Sequence, residues 1–258
     1  MNYPLIMFDV DGTLVDEEGQ ISAELVEYLY TLKSRGIILV INSGRPALLA
    51  YRYFQKLAPD LFKLFIGCNG AELYDGENDR FRQIKAFSLA EIHELKKILS
   101  HPKLISAVYE QDVLLVDRPC LDEELHNFLV KRGIRYRYGT PCGSYSKMLG
   151  LHRSKDHREV ADFVKKISGN FFDLTFSSKR VLEILVKNVD KSLGVREVCK
   201  LYSLDPKAIL SFGDGDNDIE MLSLSTGVVM KEASAGLKEL IGRCADEGLY
   251  QYLLKIYG

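Results

Sequence analysis

Short apolar runs alternate with amphipathic stretches at both ends of this chain. Leu5-Ile6-Met7-Phe8 is followed by Leu25, Leu29 and Leu32 at helical spacing. That pattern predicts a strand over 5–9 and a helix over 22–33, with Ser22 as its N-cap and Gly36 just past its end. A second strand over 37–42 leads to a helix opened by Pro46 at its first position. A third, Leu64-Phe65-Ile66-Gly67, runs into Cys68-Asn69-Gly70-Ala71. The last third repeats the scheme: a helix after Lys191, a strand over 208–212, a short helix from Asn217, a strand over 227–230, and helices from Ser234 and Leu249. Strands alternating with helices predict an α/β fold built on a doubly wound, parallel, Rossmann-like sheet.

Between about 82 and 186 the texture changes. Helical stretches over 88–100, 122–132 and 156–168 alternate with short strands, Val113-Leu114-Leu115-Val116, Lys147-Met148-Leu149-Gly150-Leu151 and Val181-Leu182-Glu183-Ile184. The first helix opens with a capping box, Ser88-Leu89-Ala90-Glu91. The polar clusters described below stop before this region and resume after it. It is expected to be a smaller α/β module (82–186) inserted into a core formed by 1–81 and 187–258.

Composition narrows the class. With 258 residues, 47% hydrophobic and 27% charged, the chain is an ordinary globular protein with a substantial core. A net charge of -2 gives no reason to expect nucleic acid or an anionic membrane surface as partner. No apolar run approaches the roughly 20 residues of a membrane span, and Met1-Asn2-Tyr3-Pro4 does not read as a secretory leader, so a cytoplasmic protein is expected. The five cysteines, Cys68, Cys120, Cys142, Cys199 and Cys244, are odd in number and lack C-x-x-C spacing. Neither a disulfide framework nor a zinc cluster is expected, and Cys68 reads as a small buried hydrophobe.

Three predicted strands end in chemistry. The first delivers Asp9-Val10-Asp11-Gly12-Thr13-Leu14, the second Asn42-Ser43-Gly44-Arg45-Pro46, and the strand over 208–212 delivers Gly213-Asp214-Gly215-Asp216-Asn217-Asp218. Lys191 stands at a helix start. Carboxylates at i and i+2 of an extended chain project to the same side. About 4 Å apart, two unit charges repel by roughly 4 kcal/mol at an effective dielectric of 20. Asp9 and Asp11 must therefore share a cation or a proton, or diverge. Ligands of open α/β sheets bind beyond the carboxyl ends of the strands. Carboxylates, a hydroxyl, backbone donors and a lysine gathered there suit phosphate with Mg²⁺.

In this order the four clusters resemble the motifs of the haloacid dehalogenase (HAD) superfamily of phosphohydrolases. About thirty residues separate the first two motifs, whereas 148 positions separate Ser43 from Lys191. That places the large cap after the second motif. With Asn69-Gly70-Ala71 and Leu182-Glu183-Ile184, the arrangement resembles the Cof-type phosphatases. The resemblance implies Asp9 as nucleophile and Asp11 as general acid and base. Mg²⁺ would be held by the Asp9 carboxylate, the Asp11 backbone carbonyl and Asp214, and Asp218 would reach it through water or hold its ligands. Ser43, Gly44 and Lys191 would bind the phosphoryl group, and Asn217 would orient the phosphate or hold Lys191. Two departures are Ser43 where many relatives have Thr, and Ser192 where Gly is frequent. The implied activity is a Mg²⁺-dependent phosphatase acting on small phosphorylated metabolites, sugar phosphates first, with flavin nucleotide or pyridoxal phosphate as further candidates.

Other readings stay open at this level. The aspartyl-phosphate that such a nucleophile forms could pass to a sugar hydroxyl, making the chain a phosphomutase or phosphotransferase. It could also be a non-catalytic phosphometabolite sensor. An EF-hand over Asp214, Asp216 and Asp218 fails, because loop position twelve is Ser225. Each cluster has a plainer reading alone: a turn for Asp9–Gly12, a helix cap for Ser43, a solvated cation for Lys191. The histidines, His93, His101, His126, His152 and His157, show no ligand spacing. Lys131, Arg132, Arg135, Arg137, Arg153, Lys155 and Arg158 could meet an anion, and Tyr136, Tyr138 and Tyr145 could stack on a sugar. The sequence does not fix the oligomeric state.

Overall fold

The computed structural model describes residues 3–119, 121–131, 133–152, 158–167, 171–178 and 180–258. Cys120, Arg132, Arg153, Lys155, His157 and the side chain of Arg158 lie outside the described residues. The chain divides into two compact units, 1–82 with 190–258, and 83–189.

In chain order the first unit begins with β1 (Leu5–Phe8), α1 (Ala23–Ser34), β2 (Ile38–Asn42), α2 (Ala47–Leu57), β3 (Leu64–Gly67), β4 (Glu72–Asp75) and β5 (Arg80–Gln83). The second unit holds α3 (Leu89–Ile98), β6 (Leu104–Glu110), β7 (Val113–Val116), α4 (Glu123–Lys131), β8 (Tyr136–Tyr138), β9 (Lys147–His152), α5 (Arg158–Lys165), β10 (Phe172–Ser178) and β11 (Val181–Val186). The first unit then resumes with α6 (Lys191–Tyr202), β12 (Ile209–Gly213), α7 (Ile219–Leu224), β13 (Thr226–Met230), α8 (Ala235–Ile241), β14 (Cys244–Ala245) and α9 (Leu249–Tyr257).

Among the described residues of the first unit, one eight-stranded sheet runs β14-β13-β12-β1-β2-β3-β4-β5. Pairing is parallel from β14 to β3 and turns antiparallel where β4 joins β3. The parallel strands are buried on both faces, which is why they read as unbroken apolar runs. On one face Leu25, Leu29 and Leu32 of α1, Ala47, Ala50 and Phe54 of α2, and Leu249 and Leu253 of α9 pack on Phe8, Ile41, Phe65 and Phe212. Phe8 and Phe212 stack with centroids 5.6 Å apart across the β1–β12 pair. Helix starts follow the sequence signals: the Ser22 side chain accepts from Leu25 N, and that of Ser234 from Leu237 N. Pro46 is the residue before α2 rather than its first residue, because its backbone is extended (ψ 139°).

Among the described residues of the second unit, a six-stranded sheet runs β10-β11-β9-β6-β7-β8, antiparallel except for β7–β8. The two-residue period of β6 sends Leu104 and Val108 to one apolar cluster, with Ile92 and Leu95 of α3. It sends Ile105 and Ala107 to another, with Leu125 and Leu129 of α4. The Ser88–Glu91 capping box forms at the start of α3.

Truncating Phe212 to Ala removes a fully buried aromatic from the middle of the sheet and is expected to cost about 3–5 kcal/mol. Leu201→Ala on α6, at a position 53% exposed, should change stability by less than about 0.5 kcal/mol. Urea unfolding followed by circular dichroism separates the two.

Candidate active site

The site is built at the carboxyl ends of β1, β2 and β12 and at the first turn of α6. β1 ends as Asp9 N donates to Phe212 O at 2.9 Å, which fixes Asp9 beside the end of β12. The chain then turns sharply, with Gly12 at φ +81°, where a Cβ would clash with the Asp214 carboxylate. That close approach is what a residue without a side chain permits. Thr13 Oγ1 donates to Asp214 Oδ1 at 3.3 Å.

Lys191 is the first residue of α6, whose N-cap Asp190 accepts from Ser192 N at 2.8 Å. Its ammonium has no solvent exposure and donates to Asp9 Oδ1 at 2.6 Å and to Asp218 Oδ1 at 2.5 Å. The plainer reading of Lys191 as a solvated cation fails, since a fully buried ammonium requires paired carboxylates. Asp218 is also fully buried, and its Oδ2 accepts from both Asp214 N and Gly215 N at 3.0 Å. Asp9, Asp214 and Asp218 present carboxylate oxygens within 4.8 Å of one another.

Three acidic groups against one lysine leave the cluster short of positive charge. Burial pushes Asp9 up to about 7, against the pull of Lys191 and with a further push from Asp218. Asp214 is raised as well, first by burial and then by Asp218, with Thr13 pulling it back. Burial acts to lower Lys191, but Asp9 and Asp218 outweigh it and hold the lysine above its ordinary value. A set of carboxylate oxygens with unbalanced negative charge fits a hard divalent cation.

Ser43 is buried at the end of β2, its N–H donating to Ile66 O and its Oγ accepting from Arg45 N at 3.2 Å. Gly44 follows, and a Cβ there would press on Asn69 Oδ1 at 3.2 Å. Asn69 ties this turn to β3 by donating its N–H to Ser43 O.

One of the two roles offered for Asn217 is corrected. Asn217 does not hold Lys191: it is exposed, and the lysine ammonium is taken by Asp9 and Asp218 instead. Of the outcomes open to the Asp9–Asp11 pair, the structure shows divergence, with the Asp11 side chain outside the cluster. Its carboxylate is 64% exposed and paired with Arg45, so the two carboxylates of the first motif diverge. Sequence reasoning also passed over Asn42, whose Nδ2 donates to Lys191 O at 2.9 Å and so ties the end of β2 to the first residue of α6. A polar residue closing the apolar run of β2 was the available signal.

Residues 6–246 match the family model of haloacid dehalogenase-like hydrolases. The chain belongs to that family. Similar curated proteins carry phosphatase names. The HMP-PP phosphatase of Serratia proteamaculans is 27% identical, over 97% of this chain and 94% of its own. The 5-amino-6-(5-phospho-D-ribitylamino)uracil phosphatase of Bacillus subtilis is 23% identical, over 98% and 97%. The fold matches a solved HAD subclass IIB sugar phosphatase with a TM-score of 0.77 at 20% identity, covering 97% of this chain and 98% of that one. This member is an enzyme, a phosphatase of the haloacid dehalogenase type, and the Cof-type character read from its motifs stands.

Replacing Lys191 by Met strands two buried carboxylates and should destabilise the metal-free enzyme by about 3–5 kcal/mol, read by urea unfolding in chelator. A second expectation concerns pH. The unfolded chain loses the Asp9 proton near 3.8, whereas the folded chain keeps it until about 7. The contribution of Asp9 to stability is therefore complete below 3.8 and is lost as pH rises through about 7. Metal-free protein should melt at a lower temperature at about pH 8 than at about pH 5, with a flatter dependence in Asp9→Asn. Thermal melts in chelator test both statements.

Proposed function

We propose that this phosphatase hydrolyses small phosphorylated metabolites, sugar phosphates foremost, through a phosphorylated Asp9. The observation that carries the reading is the convergence of Asp9 and Asp218 on the buried Lys191 ammonium, with an Asp214 oxygen within 4.8 Å of theirs and Asn42, the residue before Ser43, bonded to Lys191 O. An Asp9 oxygen attacks phosphorus, forming the acyl-phosphate bond as the ester P–O bond breaks. The leaving alkoxide takes a proton from Asp11. Water then attacks phosphorus with Asp11 accepting its proton, which releases inorganic phosphate and restores Asp9. Lys191, the Ser43 hydroxyl and the Gly44 amide bind the phosphoryl oxygens, on which negative charge is spread during transfer. Asn217, which is exposed, is left to orient the phosphate.

Mg²⁺ fits the donor set. Asp9, Asp214 and the Asp11 carbonyl would hold it, and when bound it supplies charge neutralisation at the phosphoryl oxygens. Asp218 already has one oxygen on Lys191 and the other on two backbone amides, which suits a residue that holds the ligands in place. We assign residues 83–189 to substrate selection. The phosphatase names of the relatives and the sugar phosphatase fold neighbour support this substrate class, and the net charge of -2 gives no support to nucleic acid.

A phosphate-release screen over phosphorylated metabolites tests the proposal. Release from sugar phosphates in Mg²⁺ is expected, with loss in EDTA and a fall of roughly three orders of magnitude or more in Asp9→Asn. Unaltered turnover in chelator or in Asp9→Asn rejects it. Isomerised sugar phosphate without free phosphate points to a phosphomutase instead.

A further inference from the structure

Arg45 and Tyr53 form a stacked clamp on the loop that carries Asp11. The Arg45 guanidinium grips Asp11 with two parallel bonds, Nε to Oδ2 at 3.0 Å and Nη2 to Oδ1 at 2.5 Å. It lies over the Tyr53 ring at 4.5 Å from the centroid. Tyr53, on α2, donates its hydroxyl to Gly19 O at 2.5 Å. The loop between these ties is closed on itself at both ends. Val15 N bonds Val10 O, Asp16 N bonds Gln20 O, and Gln20 N bonds the Asp16 carboxylate. One stacked pair thus holds the loop at two points, Asp11 and Gly19.

We infer that Arg45, braced by Tyr53, is the positioning residue that aims the Asp11 carboxyl for proton transfer. The inference rests on the phosphatase reading above, in which Asp11 is the acid and base. Three observations favour positioning over a role in stability. The carboxylate end of the pair is at the surface, Asp11 being 64% exposed against 27% for Arg45, and an ion pair with one solvated partner adds little to stability. The contact is a two-point fork, which fixes orientation as well as distance and which a lysine cannot reproduce. The stacked ring immobilises the guanidinium from behind, so the fork itself is held.

Proton donation to the leaving group matters in proportion to how poor that group is. p-Nitrophenolate departs with little help, whereas an alkoxide requires its proton during bond cleavage. A misaimed Asp11 therefore shows on alkyl phosphates first. The experiment compares kcat/KM for glycerol 2-phosphate and p-nitrophenyl phosphate in wild type, Arg45→Ala, Arg45→Lys and Tyr53→Leu. It adds inhibition by inorganic phosphate, melting temperatures, and hydrogen exchange over residues 11–20. Arg45→Ala should lose roughly tenfold more on the alkyl ester than on the aryl ester, with unchanged inhibition by phosphate and unchanged melting. Arg45→Lys should not restore the alkyl rate, and Tyr53→Leu should move the same way as Arg45→Ala. Exchange over 11–20 should quicken in Arg45→Ala and Tyr53→Leu.

Equal losses on the two esters, or no loss on either, overturn the inference. Weaker inhibition by phosphate would show that Arg45 binds the phosphoryl group directly, and full rescue by Lys would show that only its charge matters; both also overturn it. A wild-type enzyme that releases no phosphate from any ester defeats the phosphatase reading itself. Hydrogen exchange still judges the clamp in that case, since unchanged protection over 11–20 in both variants overturns it without reference to activity.

Discussion

A lysine ammonium sealed from solvent between two carboxylates is the constraint that the catalytic unit must satisfy. Lys191 reaches Asp9 at the end of β1 and Asp218 beyond β12, so three segments distant in sequence must meet at one point. Removing an ion from water costs several kcal/mol even after relaxation, and only close partners with further hydrogen bonds recover it. The surroundings are arranged accordingly. Asp218 is fixed by two backbone amides, Asp9 by the β1–β12 pairing, and the lysine backbone by the Asn42 amide. Gly194, one turn along α6, leaves room for Asn42, since a Cβ there would stand 2.9 Å from its Nδ2.

The same arrangement leaves negative charge in excess, and that excess links the fold to its chemistry. Lys191 has two carboxylate partners, and Asp214 adds a third acidic group beside them. The pair stabilises the lysine but leaves Asp9 with a proton affinity raised to about 7 by burial. A cation bound there would relieve this cost, and a phosphoryl group would bring charge of the opposite sign to both lysine and cation. Stability without ligand is thus given up locally for affinity toward a charged pair of ligands, a pattern expected where pKa values are displaced in a cleft.

Much of this was legible in the sequence, and the reasons are particular. The strands β1, β2, β3, β12 and β13 are buried on both faces, so each reads as a bounded apolar run. The start of α1 carries Ser22, and that of α3 a complete capping box. The hairpin strand β5 escaped because Arg80–Gln83 is exposed along its whole length and shows no alternation. β8, Tyr136–Tyr138, escaped for want of length, and the runs of β6 and β10 passed unread beside stronger helical periodicity. In the site, the acidic clusters and Lys191 could be found as chemistry at element ends. The choice of Asp218 over Asn217 as partner to Lys191 could not, because it depends on how a single-turn helix over Asp216–Asp218 rotates adjacent side chains. Arg45 on Asp11 and Tyr53 on Gly19 are contacts 34 residues apart in sequence and leave no periodic trace.

The divergence of Asp9 and Asp11 has a physical origin that local sequence only half supplies. On a continuing strand the two carboxylates would face the same way and compete for one cation. The strand stops at Phe8 instead, the chain folds back through the Val10–Val15 turn, and Gly12 at positive φ lets the turn close against Asp214. Asp9 is left buried against an ammonium, and Asp11 exposed against a guanidinium. Two identical groups thereby occupy environments of different polarity and different partner, the condition under which one carboxylate can serve as nucleophile and its neighbour as proton carrier. A continuous strand through residue 11 would supply the same side chains and lose that distinction.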